Sequence, residues 1–398
     1  MNVSWRSLYS TVRTYDLVVL VSLLWFMVQF LRFVFPPLFE TFQAIYNVSN
    51  TQTGILFTAM MLAYSTVQFP AGMLGDRIGR SFVILLGATV FAFAALLAAA
   101  SPSFAVVLIA AIMIGLGTGP HKAVAIPLLS SQYPDRTGRA LGVMDTIGQL
   151  GGMTAPLAVA GILAITVWQG VFVLGATVTA ILILLFLLRV RNDDELMARG
   201  SAGAVEGAAD GEDVSYLAVF RNRSLLLFMV VTMLFTFAWN GLSSFFPLFL
   251  ATEKGLDGEV SGILYSLLFA ASVSQTVTGD LSDRMGRLRV SSLLFAAMFL
   301  GITTLVVAES LPVLVVTTVV VGAGFHGFRP VRDSYLMDVI PESIGGGTLG
   351  VIRTGMTGVG ALAPAFVGYI SDVVGFVTAF AVIAGVSAVA GLIVVLLR

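Results

Sequence analysis

The chain has no cysteine, so disulfides and thiolate metal sites are excluded and the redox compartment leaves no mark on the sequence. Charge is scarce too: Asp, Glu, Lys and Arg make up 11% of the 398 residues against 58% hydrophobic, and mean hydropathy is +0.98. That is too little polar surface for a soluble globule, so the chain reads as an integral membrane protein. A net charge of −1 leaves no electrostatic footprint for nucleic acid. Lysine is nearly absent, with only Lys122 and Lys254 among 21 basic residues, so a lysine inside an apolar run stands out. There is no nucleophile constellation, no cluster of metal ligands and no phosphate-binding loop, which argues against an enzyme; no cofactor or metal is expected.

What the chain has instead is apolar runs of spanning length. They fall near 15–37, 51–74, 82–100, 104–130, 138–162 and 168–188, then near 224–250, 259–281, 290–308, 311–337, 346–370 and 375–397. Backbone groups cannot stay unpaired in lipid, so each run reads as a helix and the fold class as all-α. The first run follows Arg6 and Arg13 without a small-residue cleavage site, and is expected to be a retained helix. Fifteen arginines, including Arg77, Arg136, Arg189, Arg221 and Arg284, fall on one side of this topology and only Lys254 on the other, which predicts both termini on the cytoplasmic side of the cell membrane. Residues 190–223, acidic and rich in Gly, Ala and Ser, read as a cytoplasmic linker between an N-terminal unit, 1–189, and a C-terminal unit, 224–398. Within the linker, Ser215–Phe220 reads as either a short lateral helix or ordinary loop.

The strongest pattern is a charged hairpin that occurs twice. Gly72, Asp76, Arg77, Gly79 and Arg80 reappear as Gly279, Asp283, Arg284, Gly286 and Arg287, each 207 residues further on. A repeat that long is a duplicated half-protein. The pattern G-x-L-x-D-R-x-G-R resembles the signature loop of the major facilitator superfamily. The resemblance implies a polytopic protein of twelve transmembrane helices in two pseudo-symmetric six-helix bundles. It also implies that each loop aspartate reaches to the opposite half and holds the cytoplasmic gate shut. Physics points the same way for Asp76: following the carbonyl end of its own helix, it should seek a positive helix N-terminus, and those near Gly345–Thr348 and Thr137–Gly138 lie on its side. The loop arginines would pair with these aspartates or with anionic headgroups.

Charges inside the runs are the remaining signal, because each costs several kcal/mol unless it faces a cavity or a partner. Away from the run ends they are Arg32, His121, Lys122, Asp145, His326, Arg329, Arg332, Asp333 and Arg353, on runs one, four, five, ten and eleven; runs three, six, nine and twelve carry none. Arg329 lies 207 residues after Lys122, so both halves place a cation at one position. Five fixed positives face two aspartates, and an anionic solute would supply the missing charge. Lys122, Arg329 and Arg32 are the expected anion-binding groups, with Gln29, Trp239 and Asn240 as hydrogen-bonding and stacking partners. The competing assignment is structural, with Lys122–Asp145 and Asp333–Arg353 as ion pairs and Arg332 snorkelling. Asp145, Asp333, His121 and His326 are the intramembrane groups able to couple a proton, Asp145 foremost. The expectation is a monomeric secondary active transporter in the lipid bilayer that moves a small organic or inorganic anion by alternating access, as a symporter coupled to H+ or Na+. Efflux of drugs or metabolites by the same fold, and a non-transporting membrane sensor or scaffold, stay open as alternatives.

Overall fold

The computed structural model describes residues 5–191, 223–339 and 345–398, with side chains from 15–191, 223–339 and 353–398. The linker, including Ser215–Phe220, lies outside the described residues. Twelve helical segments are long and apolar enough to cross a membrane. They are α1 (Tyr15–Tyr46), α2 (Asn50–Ile78), α3 (Arg80–Ala99), α4 (Phe104–Gln132), α5 (Pro134–Ile165) and α6 (Gln169–Arg191), then α7 (Arg223–Lys254), α8 (Gly258–Met285), α9 (Arg287–Val307), α10 (Leu311–Val339), α11 (Arg353–Val373) and α12 (Phe376–Leu396). Among the described residues there is no strand.

Packing repeats with a period of six helices. The contacts α1 on α5, α3 on α6, α3 on α4 and α2 on α4 recur as α7 on α11, α9 on α12, α9 on α10 and α8 on α10. The contacts between halves obey the same rule, α2 lying on α11 as α8 lies on α5. Two bundles related by a pseudo-twofold follow from this. Exposed apolar residues crowd α3, α6, α9 and α12, for example Phe93, Leu184, Leu300 and Leu392, which marks the faces turned to lipid.

Where the sequence departs from plain helix, the cause is local. Pro36 and Pro37 turn the first run through a 3-10 segment, Pro36–Leu38, into a short helix, Phe39–Tyr46, so α1 runs further than its apolar stretch indicates. The fourth run is interrupted at Gly119, where Pro120 has no N–H to give, immediately before His121 and Lys122. Both hairpin motifs end their helix on a glycine at positive φ, Gly79 at 101° and Gly286 at 94°, a conformation that side chains with a Cβ resist. The chain turns there in one residue and the next helix begins at Arg80 or Arg287.

Candidate functional site: a charged passage open at one end

The two ends of the molecule differ. At the end away from the hairpin motifs the halves are fastened together. The Asp372 carboxylate, near the end of α11, accepts hydrogen bonds from the backbone N–H groups of Asn50 (3.1 Å) and Thr51 (2.7 Å) and from the Thr51 hydroxyl (2.6 Å) at the start of α2. An anion thus meets the positive N-terminus of a helix from the opposite half. Deeper in, the Thr58 hydroxyl accepts from the Ala365 N–H at 3.0 Å and Ser65 meets Thr357 at 2.7 Å. Two glycines make the approach possible: a Cβ on Gly54 would lie 2.4 Å from the Pro364 carbonyl oxygen, and one on Gly368 2.3 Å from that of Asn50. Aromatic rings continue the closure, with Phe39 on Phe245 at 5.2 Å and Phe33 on Phe269 at 4.6 Å between centroids.

At the motif end the halves stand apart. A Cβ on Gly138 or Gly142 of α5, or on Gly358 of α11, would meet open space. Asp76 is held by Arg80 of its own hairpin at 3.2 Å, and Asp283 is bonded to Arg287. Among the described residues neither aspartate is bonded to the other half. Of the two helix starts expected to receive Asp76, the side chains of Gly345–Thr348 lie outside the described residues. The hairpin arginines instead tie each motif to its own bundle. Arg80 donates to the Pro127 carbonyl of α4 at 3.1 Å, and Arg287 donates to Asp338 of α10, also at 3.1 Å. Arg284 pairs with Asp280 at 2.9 Å, Arg77 is exposed, and Gly72 and Gly279 leave the hairpin faces uncrowded.

Between these ends lie the charged groups. Trp25, Gln29 and Arg32 are spaced four and three residues apart, which puts them on one face of α1. Arg32 is buried, 8% exposed, and has no carboxylate partner among the described residues. Its Nη1 donates to Gln29 Oε1 at 3.2 Å, its Nη2 lies 3.1 Å from the Met61 sulfur, and its guanidinium carbon sits 4.1 Å from the Tyr64 ring centroid; Nε has no partner. In the other half Arg329, half-buried on α10, lies 5.2 Å from the Trp239 ring and is in no ion pair among the described residues. Lys122 stands over Trp25 at 5.5 Å in the same manner, but its ammonium is bonded to Asp145 at 2.9 Å. Each half therefore presents a cation against a tryptophan, one neutralised and one not.

The other candidates divide in the same way. Arg332 pairs with its neighbour Asp333 at 2.8 Å, so the expected Asp333–Arg353 pair is not formed. α10 and α11 make no extensive contact with each other, so Arg353 is left exposed with no carboxylate among the described residues. His121 is buried, with Nε2 3.1 Å from the Val21 carbonyl oxygen and its ring stacked on Trp25 at 5.7 Å. His326 is fully buried against Trp239 and Phe269, and neither ring nitrogen has a hydrogen-bond partner among the described residues. Asn240 is buried beside Gly360.

Sequence reasoning missed Trp25, Met61, Tyr64, Phe269 and Asp372. The helical spacing of Trp25, Gln29 and Arg32 was a usable signal for the first. The others touch their partners only through the fold.

Two equivalent bundles of helices apolar enough to cross a membrane define a multi-pass membrane protein. The chain belongs to the major facilitator superfamily: the sequence profile of that family matches residues 21–289 and 262–398. The riboflavin transporter RibZ of Clostridioides difficile (strain 630) is 22% identical, with 79% of each chain covered. The hexuronate transporter of Bacillus subtilis (strain 168) is 24% identical, covering 88% of this chain and 86% of its own. Among solved structures, a bacterial homologue of the human lysosomal transporter Spinster superposes with a TM-score of 0.81 over 97% of this chain and 96% of that one, at 16% identity, a likeness of fold.

Proposed function

We propose that this transporter carries a small organic or inorganic anion across the cytoplasmic membrane, coupled to a gradient of H+ or Na+. The observation that carries the reading is the pair Arg32 and Arg329: one guanidinium from each half, each set against an aromatic ring, neither with a carboxylate partner among the described residues. The pairs Lys122–Asp145 and Arg332–Asp333 neutralise themselves, which leaves Arg32, Arg329 and the exposed Arg353, and of these the two less exposed are Arg32 and Arg329. Two uncompensated cations in a site of low dielectric repel each other, and an anion between them relieves both. A relative whose name gives an anion, hexuronate, supports the class without specifying the solute.

Residues 1–189 and 224–398 rock about this site, joined by 190–223, with the hairpin motifs and both termini on the cytoplasmic side, a reading that the arginine distribution supports. Gln29, Trp239 and Asn240 orient the bound solute, and Asp145 carries the coupling proton, bound when Lys122 leaves the carboxylate and given up when the pair re-forms. The hairpin aspartates Asp76 and Asp283 close the cytoplasmic end in the alternate state.

The test is uptake of acidic solutes into proteoliposomes by Arg32→Gln and Arg329→Gln. Loss of one charged hydrogen bond, about 1.5–3 kcal/mol, weakens solute binding roughly ten- to hundredfold. Uptake unchanged by both substitutions would overturn the anion reading. Accumulation that persists on a sodium gradient after the proton gradient is dissipated would move the coupling role away from Asp145.

A further inference from the structure

A second basic site lies outside the passage. At the motif end, a cavity of about 280 Å³ opens between α1 and the start of α5. Arg136, Arg139, Tyr15 and Tyr133 form its polar side, and Val19 and Val143 belong to its apolar side. Arg136 donates to the Tyr15 hydroxyl, and the Tyr15 and Tyr133 rings stack 6.3 Å apart. Neither arginine meets a carboxylate among the described residues. Asp16, next to Tyr15, is taken by Arg189 at 2.7 Å, and Asp135, next to Arg136, is in no ion pair among the described residues.

The cavity faces lipid and not the passage. Arg139 and Val143 begin an exposed stripe on α5 that continues at Thr146, Leu150, Leu157 and Gly161. The passage face of the same helix is a different one, carrying Gly138, Gly142 and Asp145, while Gly148 and Gly151 pack on Trp25 and Phe26 of α1. Two unpaired guanidiniums and two phenols at the membrane surface, with exposed valines one turn deeper, match a ligand with an anionic head and an apolar tail.

We propose that this cavity binds the phosphodiester headgroup of an anionic phospholipid from the leaflet at the motif end. Arg136 and Arg139 hold the phosphate and the acyl chains lie along Val19 and Val143. The site joins α1 to α5 beside the opening of the passage, so its occupancy bears on how α5 moves there.

The experiment is native mass spectrometry of the full-length protein released from nanodiscs of phosphatidylcholine containing phosphatidylglycerol. Wild type is expected to retain one phosphatidylglycerol that the Arg136→Gln/Arg139→Gln double variant loses by tenfold or more. The control Arg77→Gln/Arg284→Gln, which removes the same charge elsewhere at that end, is expected to keep it. Val143→Trp fills the cavity while leaving both arginines, and is expected to displace the same lipid. Equal retention by wild type and the first double variant would overturn the proposal, as would equal loss in the control, which would mean surface charge alone. Free glycerol phosphate competing the lipid away at equal concentration would also overturn it, by showing that no acyl contact contributes.

Discussion

Asp372→Ala removes the fastening at the closed end and nothing else of comparable size. Three hydrogen bonds go, two from backbone N–H groups and one from a hydroxyl. Asp372 is exposed, so these bonds sit at the low end of the range for charged acceptors and do not add fully; about 2 kcal/mol in total is the working figure. The start of α2 keeps its own cap, because Ser49 accepts from the Gln52 N–H and Gln52 reaches back to the Ser49 N–H. The helix therefore stays folded and the loss falls on the contact between halves. Since that contact exists only when this end is closed, 2 kcal/mol shifts the ratio of open to closed forms about thirtyfold. Asp372→Asn keeps one accepting oxygen and loses the charge at the helix N-terminus, for about half that effect. The assay is a double electron–electron resonance measurement between spin labels on Ser103→Cys and Glu309→Cys, in the loops that join α3 to α4 and α9 to α10. With no native cysteine, labels attach only there. The long-distance population should grow in the order wild type, Asn, Ala, and the growth should shrink at high salt in wild type as screening weakens the carboxylate's hold. Identical distance distributions in all three proteins would refute the claim that this carboxylate holds the end shut.

Gly54→Val is expected to do the reverse of a harmless surface change: its Cβ meets the Pro364 carbonyl oxygen at 2.4 Å, costing about 1–3 kcal/mol in the closed arrangement, and the same distance measurement should show the end opening. His326→Leu removes two ring nitrogens that have no partners, so thermal unfolding should stay within a few degrees of wild type or rise; a large drop would reveal partners for the ring. Exchanging Lys122 and Asp145 keeps their 2.9 Å pair and should preserve stability, while Asp145→Asn alone leaves Lys122 uncompensated and should abolish proton-driven accumulation in the proteoliposome assay.

The fold was open to reading because membrane helices announce themselves in one dimension. Spanning length, the 207-residue offset of the two hairpins and the confinement of intramembrane charge to a few runs are all local or periodic properties. Arg32 and Arg329 could be singled out for the same reason: a charge in an apolar run needs no neighbour to be conspicuous. Partner choice was the part that could not be read. Asp333 goes to Arg332 and not Arg353, which depends on how far α10 and α11 diverge at the open end. Asp372 was invisible as a functional group, because its partners are backbone N–H groups more than three hundred residues away and any sequence supplies those. Tyr64 and Met61 fell in an uncharged run, and only the packing of α2 beside α1 brings them onto Arg32.

The pairing of α2 with α11 has a mechanical consequence. These two antiparallel rods make the most extensive contact between the halves, and each bears an acidic residue near its finishing tip, Asp76 on one and Asp372 on the other. Among the described residues the second is latched to the opposite rod and the first is held by Arg80 of its own hairpin. A beam pivoting on such a contact behaves as a see-saw with a catch at each tip, so damage to one catch should be offset by damage to the other, and a protein lacking both should tip freely while losing the long dwell at either extreme.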